Sequence, residues 1–466
     1  MANKVTSVQC SEVLDTNRFE PRYFYNRHLL TEAFNKFGYC VITEISKPPM
    51  SGSTPEHFDE RRWKTDAYFV KSADVKRYNL NKTTISYVSE ETHKKRRTKY
   101  IYPQDILVSN TGKYLGFACV VPQNIFESTT NQNISTLRLF KDSEFTPEFI
   151  VAYLNSYFGQ REIESLLTLT GQKYLNSTNF KRLRVPNVSS KQIDVITFLM
   201  KSILEKETTA VDKIEQAQLL FYSRIGIDFK TIAKENTFSV CKSDFADADL
   251  WTPMYSYPLY VNTLKAIQGQ WQTITIGEIA DLKKGDEVGS DTYIGYLDKK
   301  KSDVPFVRTS DIVNYEIDQY PDFFIPKEIY EELGQGFQNG DVLFTKDGKI
   351  GMIGMVTEYD TAIISSGFAG LRLNKKAKEY GITPEYLFLA LSIKEIGIYA
   401  SKRRTVVAST IPHLREERLK EIEIPILDKK TILEITDLVM RAFQLKDEKK
   451  RLIAEVRETM DGYFEI

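Results

Sequence analysis

No stretch of these 466 residues holds the ~18 consecutive apolar side chains that the shortest membrane-spanning helix needs. Cysteine is reduced to Cys10, Cys40, Cys119 and Cys241, with no CxxC pair, which argues against a zinc knuckle or a disulfide framework. The opening MANKVTSVQCSEVLD lacks the basic-then-apolar order of a secretory signal. Together these absences set the expectation of a reduced, cytoplasmic protein. His28, His57, His93 and His413 show no metal-ligand spacing, so neither metal nor cofactor is expected. The string DGKIG (347–351) lacks the upstream glycine and Lys-Ser/Thr ending of a phosphate loop. No Asn-Pro-Pro-aromatic motif is present, the nearest string being KPPM at 47–50. Glu448, Lys449 and Lys450 would serve a nuclease only by converging on a metal, and a solvated or seam role suits them better. The expectation is a chain without catalysis of its own. Excess charge is missing as well, since 63 basic side chains balance 63 acidic ones. That weighs slightly against non-specific polyanion binding, although a balanced total can hide a basic face.

What the sequence does have is repetition. PQDILVSNTGKYLG (103–116) and NGDVLFTKDGKIG (339–351) set Asp341 against Asp105 and Lys349 against Lys113, an offset of 236 in both cases. FVKSADV (69–75) answers FVRTSDI (306–312), and TPEFIVAYLNS (146–156) answers TPEYLFLALSI (383–393), each at 237. STLRL (135–139) answers AGLRL (369–373), and ITEIS (42–46) answers IGEIA (276–280), each at 234. LNSTNFKRLRVP (175–186) reads as the counterpart of VASTIPHLREERLKEIEIP (407–425), with seven extra residues in the second copy. Matches this close to one offset mark a duplicated architecture.

Each copy mixes short apolar runs such as DILVS, FACVV, DVLFT and MIGMV, read as strands, with Gly and Asn turns. Thr-Pro-Glu then opens a helix, with Thr146 or Thr383 as N-cap and proline at the first helical position. A different period closes each copy. Ile196, Met200, Ile203, Glu207, Ala210, Ile214, Ala217 and Phe221 follow at spacings alternating between four and three. Leu438, Ala442, Leu445, Lys449, Leu452, Val456, Thr459 and Tyr463 follow at the same spacings, at an offset of 242. A sustained 3.5-residue period is a coiled-coil seam. The pattern predicts an α+β protein with two tandem domains of mixed β-sheet and helices. Two long helices in an antiparallel coiled coil separate them, giving approximate two-fold symmetry, and Glu207 and Lys449 interrupt the two seams where they could meet.

PFVRTSDI (305–312), NGDVLFTKDGKIG (339–351), ISSG (364–367), TPEYL (383–387), STIPHL (409–414) and IEIPI (422–426), followed by a long helix, resemble the specificity subunit of type I restriction–modification systems. The first half repeats this order more loosely, and STNF (177–180) departs from it. The resemblance implies a first target-recognition domain with an N-terminal segment over 1–188 and a central long helix over 189–226. A linker and second target-recognition domain then cover 227–427, and a C-terminal long helix covers 428–466. It further implies double-stranded DNA with a bipartite site, two methyltransferase subunits, and motor–nuclease subunits in the full complex, with no membrane partner.

Half-site reading needs cations for phosphates and side chains that reach base edges. The basic runs supply Lys94, Lys95, Arg96, Arg97 and Lys99 in one half and Lys402, Arg403 and Arg404 in the other, taken as loop cations for phosphate contact. Lys113, Lys346 and Lys349 are further candidates for DNA contact, although for Lys113 and Lys349, which follow glycine in turns, a plain turn lysine is the simpler reading. Arg308, Thr309 and Ser310 belong to a feature shared by both halves, which suits a structural loop as well as a base contact. The polar stretches KETTAVDKIEQ (206–216) and KDEKKRLIAEVRE (446–458), with 221–229 and 460–466, are candidates for methyltransferase docking. A central helix over about 32 residues would measure ~48 Å, which sets half-site centres on the order of 10–14 base pairs apart. The competing reading is a duplicated coiled-coil protein–protein scaffold with no DNA role.

Overall fold

The computed structural model describes residues 10, 13, 21–58, 67–95, 100–125, 128–168, 173–235, 237–241, 250, 252–408 and 411–464. The chain divides into two units, Met1–Glu205 with Arg451–Ile466, and Lys206–Lys450. In the first unit, strands 50–51, 134–137, 106–109 and 118–120 lie in that order in an antiparallel sheet. In the second, strands 280–284, 368–373, 342–345 and 353–355 take the same order. Each unit adds another four-stranded sheet with one parallel pair, 67–70 beside 128–130 and 304–307 beside 363–364. Each also joins its first strand to its last, 39–41 with 184–186 and 273–275 with 423–425. The strands are short and their inward residues apolar, so each unit builds a core of Val, Ile, Leu and Phe between sheets and helices.

The Thr-Pro-Glu helices form as their sequence predicts. Thr146 Oγ1 accepts from the Phe149 N–H at 3.2 Å and Thr383 Oγ1 from the Tyr386 N–H at 3.1 Å, each satisfying an orphan donor of the first turn. One tyrosine per helix then fastens the closing strand pair. Tyr153 donates to the Arg184 carbonyl at 3.0 Å, and Tyr386 to the Pro425 carbonyl at 2.8 Å.

Two helices of 36 residues each, Ser190–Ile225 and Lys429–Phe464, carry the seams. Ile196, Met200, Ile203, Ala210, Ile214, Ala217 and Phe221 are all fully buried, so the central stripe lies where its period put it. Within the second unit the helices run antiparallel. Lys206 pairs with Glu448, whereas Arg224, near the end of the central helix, lies in electrostatic reach of Asp428 at the other helix's start. The C-terminal stripe differs by one residue in half its positions. Ala442, Lys449 and Val456 are buried as expected, but Val439, Lys446, Ile453 and Met460 fill the alternate places. Leu438, Leu445, Leu452 and Tyr463 flank the stripe, half-buried. A charged residue at 446 disguises the true row, and the neighbouring leucines mimic it.

Glu207 and Lys449 do meet, inside a buried charge cluster of the second unit. The 312–313/316–317 hairpin turns through Asn314 and Tyr315, both at positive φ, and brings Asn314 Nδ2 to 2.6 Å from Glu207 Oε1. Glu316 of that hairpin pairs with Lys449, and Lys450 reaches Asp360 at 2.6 Å. Burial pushes the Glu207 carboxyl up, but Lys446, Lys449 and Asn314 outweigh it and hold it at about 2. Burial likewise pulls Lys449 down, and Glu207 and Glu316 overcome that and raise it. Lys446 is lowered, because burial and its lysine neighbours exceed what the two glutamates return. Lys446, Lys449, Lys450 and Arg457 therefore lie inside the protein rather than on a solvated docking face. Phe221, Ile225, Met460 and Phe464 are buried too, and 465–466 lie outside the described residues.

The repeat's last segment also registers differently from its sequence reading. Tyr174 bridges Thr111 as His413 bridges Asp347, and strand 184–186 matches strand 423–425, at an offset of 239 throughout. That is two more than at the preceding helix pair, so most of the apparent seven-residue insertion disappears. STNF corresponds to the short helix 416–420 and not to STIP.

Candidate nucleic-acid interface

Much of what the two copies share turns out to be scaffold. Asp105 caps its turn by accepting from the Tyr102 N–H at 2.8 Å and grips the fork of Arg138 at 2.7 Å through each oxygen. Asp341 does the same for the Gln338 N–H at 2.9 Å and for Arg372 at 2.8 and 2.6 Å. A planar guanidinium against a carboxylate in this bidentate geometry fixes both partners. The SADV and TSDI segments form equivalent turns, with Asp74 accepting from the Lys71 N–H at 2.8 Å and Asp311 from the Arg308 N–H at 2.9 Å. Arg308 itself pairs with Asp322 at 2.9 Å and stacks over Phe323.

Beyond this scaffold, both units build one backbone frame at one loop end. In the first, the Leu175 N–H donates to the Asn110 carbonyl at 3.0 Å and Thr111 bridges Tyr174. In the second, the Leu414 N–H donates to the Lys346 carbonyl at 2.8 Å and Asp347 bridges His413. The side chains on this frame differ at every position: Asn110, Thr111 and Tyr174 against Lys346, Asp347 and His413. Gly112 and Gly348, at φ of 72° and 68°, then turn the chain into Lys113, on the short helical turn 112–114, and into Lys349. Only glycine takes that left-handed turn without strain. Lys349 is exposed and Lys113 half-buried near the Tyr114 ring.

In the second unit this frame gathers several expected residues. Lys346 is largely buried and 3.4 Å from Asp347, which pairs with His413. The Lys346 N–H donates to the Gly367 carbonyl, and Gly367 abuts Thr309 so closely that a Cβ there would come within 2.7 Å of its methyl group. Ser310 lies on the same short turn, 309–311. The basic run 402–404 is not a loop but the last turn of helix 399–404. Arg403 donates to the Tyr255 carbonyl at 2.8 Å and stacks on its ring, and Arg404 is buried against Glu421. Lys402 is exposed. In the first unit, Lys94 and Lys95 stand on helix 90–94 and at its end, paired with Glu90 and Glu91 one turn back. Arg96, Arg97 and Lys99 lie outside the described residues.

Among the described residues no group of His, Cys, Asp and Glu could hold a metal ion. No described helix is long and apolar enough to cross a membrane. What the frame offers is a set of polar side chains on a rigid support, with exposed lysine beside it. The sequence offers His413 only as one of four histidines without metal-ligand spacing, and it gives no sign of Asn110, Thr111 and Tyr174. The signal that singles them out is contrast, different side chains at matched backbone positions.

Residues 268–455 match the family model described as type I restriction modification DNA specificity domain. No curated protein matches the chain. Among solved structures, the HsdS subunit from Thermoanaerobacter tengcongensis aligns at 14% identity over 92% of this chain and 96% of that one, with a TM-score of 0.29. The S subunit of the type I restriction–modification system from M. genitalium aligns at 16% identity over the same shares, with a TM-score of 0.29.

Proposed function

We infer, from a chain whose residues 268–455 carry the type I restriction–modification DNA specificity domain, that both of its units read duplex DNA, each contributing half of a bipartite site. The observation that carries this reading is the shared loop frame with unlike side chains, Asn110, Thr111 and Tyr174 in one unit and Lys346, Asp347 and His413 in the other. Two readers of different sequences need the same support and different contacts. Lys113, Lys349, Lys402 and the cations of 94–99 are proposed for phosphates, and Thr309 and Ser310 for the neighbourhood of the bases. The subunit performs no chemistry, and methyl transfer and cleavage belong to partners.

Those partners are two methyltransferase subunits, joined by motor–nuclease subunits in the full assembly. Although Lys446, Lys449 and Lys450 are buried, exposed Glu448, Arg451, Glu455 and Glu458 keep the outer face of 446–458 available to the methyltransferase. Phe198 and Met440 stand 70% and 41% exposed, one on each helix. They offer a partner protein an exposed apolar side chain on each long helix. Sequencing the modified bases of the host genome tests the whole reading. The expected outcome is a motif of two short half-sites with a fixed unspecified spacer. A continuous motif, or none dependent on this gene, would refute it.

A further inference from the structure

Strands 406–408 and 411–413 form a two-stranded ribbon at the loop end of the second unit. Val407 faces Pro412 across the ribbon and Ala408 faces Ile411. Directly opposed residues share a face and successive residues alternate, so Val407 and Ile411 stand on opposite faces. Both are exposed, at 67% and 59%. A ribbon apolar on both sides is not the cover of a core, because a cover hides one face. Its base is fastened to the unit: His413 pairs with Asp347, the Gly348 N–H donates to the Pro412 carbonyl at 3.0 Å, and the Leu414 N–H donates to the Lys346 carbonyl at 2.8 Å. Exposed Lys349 follows the glycine that holds one strand, and exposed Lys402 lies one helical turn before the other.

We propose that this ribbon enters the major groove of the DNA bound by the second unit and reads thymine methyl groups through Val407 and Ile411, with Lys349 and Lys402 on the flanking phosphates. The groove admits a two-stranded ribbon and surrounds both its faces, and the thymine C5 methyl is the apolar feature it presents. Exposed cations beside the base of an apolar blade match a groove walled by phosphates, which is why DNA and not a protein partner is the occupant argued here. The inference rests on the recognition reading above and names the part of the second unit that does the reading.

The test selects duplexes from a randomised pool with the full chain and its co-purified partner subunits, for wild type and for the V407S/I411S and K349A/K402A variants. Both changes are on exposed side chains, and unchanged thermal melting verifies folding. Wild type enriches two half-sites. V407S/I411S keeps one and loses discrimination at A·T pairs of the other, by about tenfold per pair. K349A/K402A keeps both preferences and binds more weakly, with a shallower salt dependence. A V407S/I411S variant that enriches the same two half-sites as wild type overturns this inference and leaves the recognition reading intact. One that keeps its base preferences but no longer retains a partner subunit assigns the ribbon to protein contact and also overturns it. A wild type that enriches nothing removes both.

Discussion

Asp105 and Asp341 show how differently two repeated residues can be used. The repeat marks them and the lysines a short way downstream with equal emphasis. The aspartates are buried clamps on Arg138 and Arg372, whereas Lys349 is exposed. No spacing rule joins an aspartate to an arginine on a neighbouring strand, so the clamps were not legible in the sequence. Asp341→Ala should remove the clamp on Arg372 and cost about 1–2 kcal/mol, since that guanidinium stays in reach of water, read as a lowered urea midpoint, while Lys349→Ala should leave that midpoint unchanged. Glu207 gives a pH dependence whose sign is fixed. Its folded carboxyl is held at about 2 against an ordinary 4.5, so the stability it contributes is complete above 4.5 and drains away as pH falls towards 2. Urea midpoints of E207Q should therefore lie below wild type at neutral pH and change less with pH between those two values.

At the scale of elements, local grammar was the readable part. The Thr-Pro-Glu caps, the repeated strands and both long helices follow from residues close in sequence. The closing strand pairs, which join the beginning of each unit to its end, do not, because nothing local specifies a partner so distant in the chain. The slipped half of the second seam has a physical cause in Lys446, which the stripe tolerates only because Glu207 and Glu316 surround it. Lys446→Leu should consequently lower stability, since it leaves the buried Glu207 and Glu316 carboxylates to share Lys449; thermal melting of the full chain decides this. If the long helices measure out the DNA spacer, excising one heptad from each at facing turns should shorten the preferred spacer by about 3 base pairs. An unchanged spacer in the methylated motif would show that they do not.

For the molecule as a whole, zero net charge says little about DNA, because basic side chains are spent unevenly. Some are buried in clamps and clusters, and others lie exposed at loop ends. Binding of the assembled subunit to a cognate duplex should still weaken steeply as salt rises, through counterion release. A flat salt series would favour the scaffold reading. The ion pair Glu207–Lys446 carries a historical consequence, since it joins a position on one long helix to its own counterpart, 239 residues further on, on the other. Before the halves were fused, two identical short chains meeting this way would have set that position against itself, charge against like charge. Divergence has replaced that repulsion with attraction between opposites. A pair of identical copies of either helix, meeting in this register, would face that repulsion again.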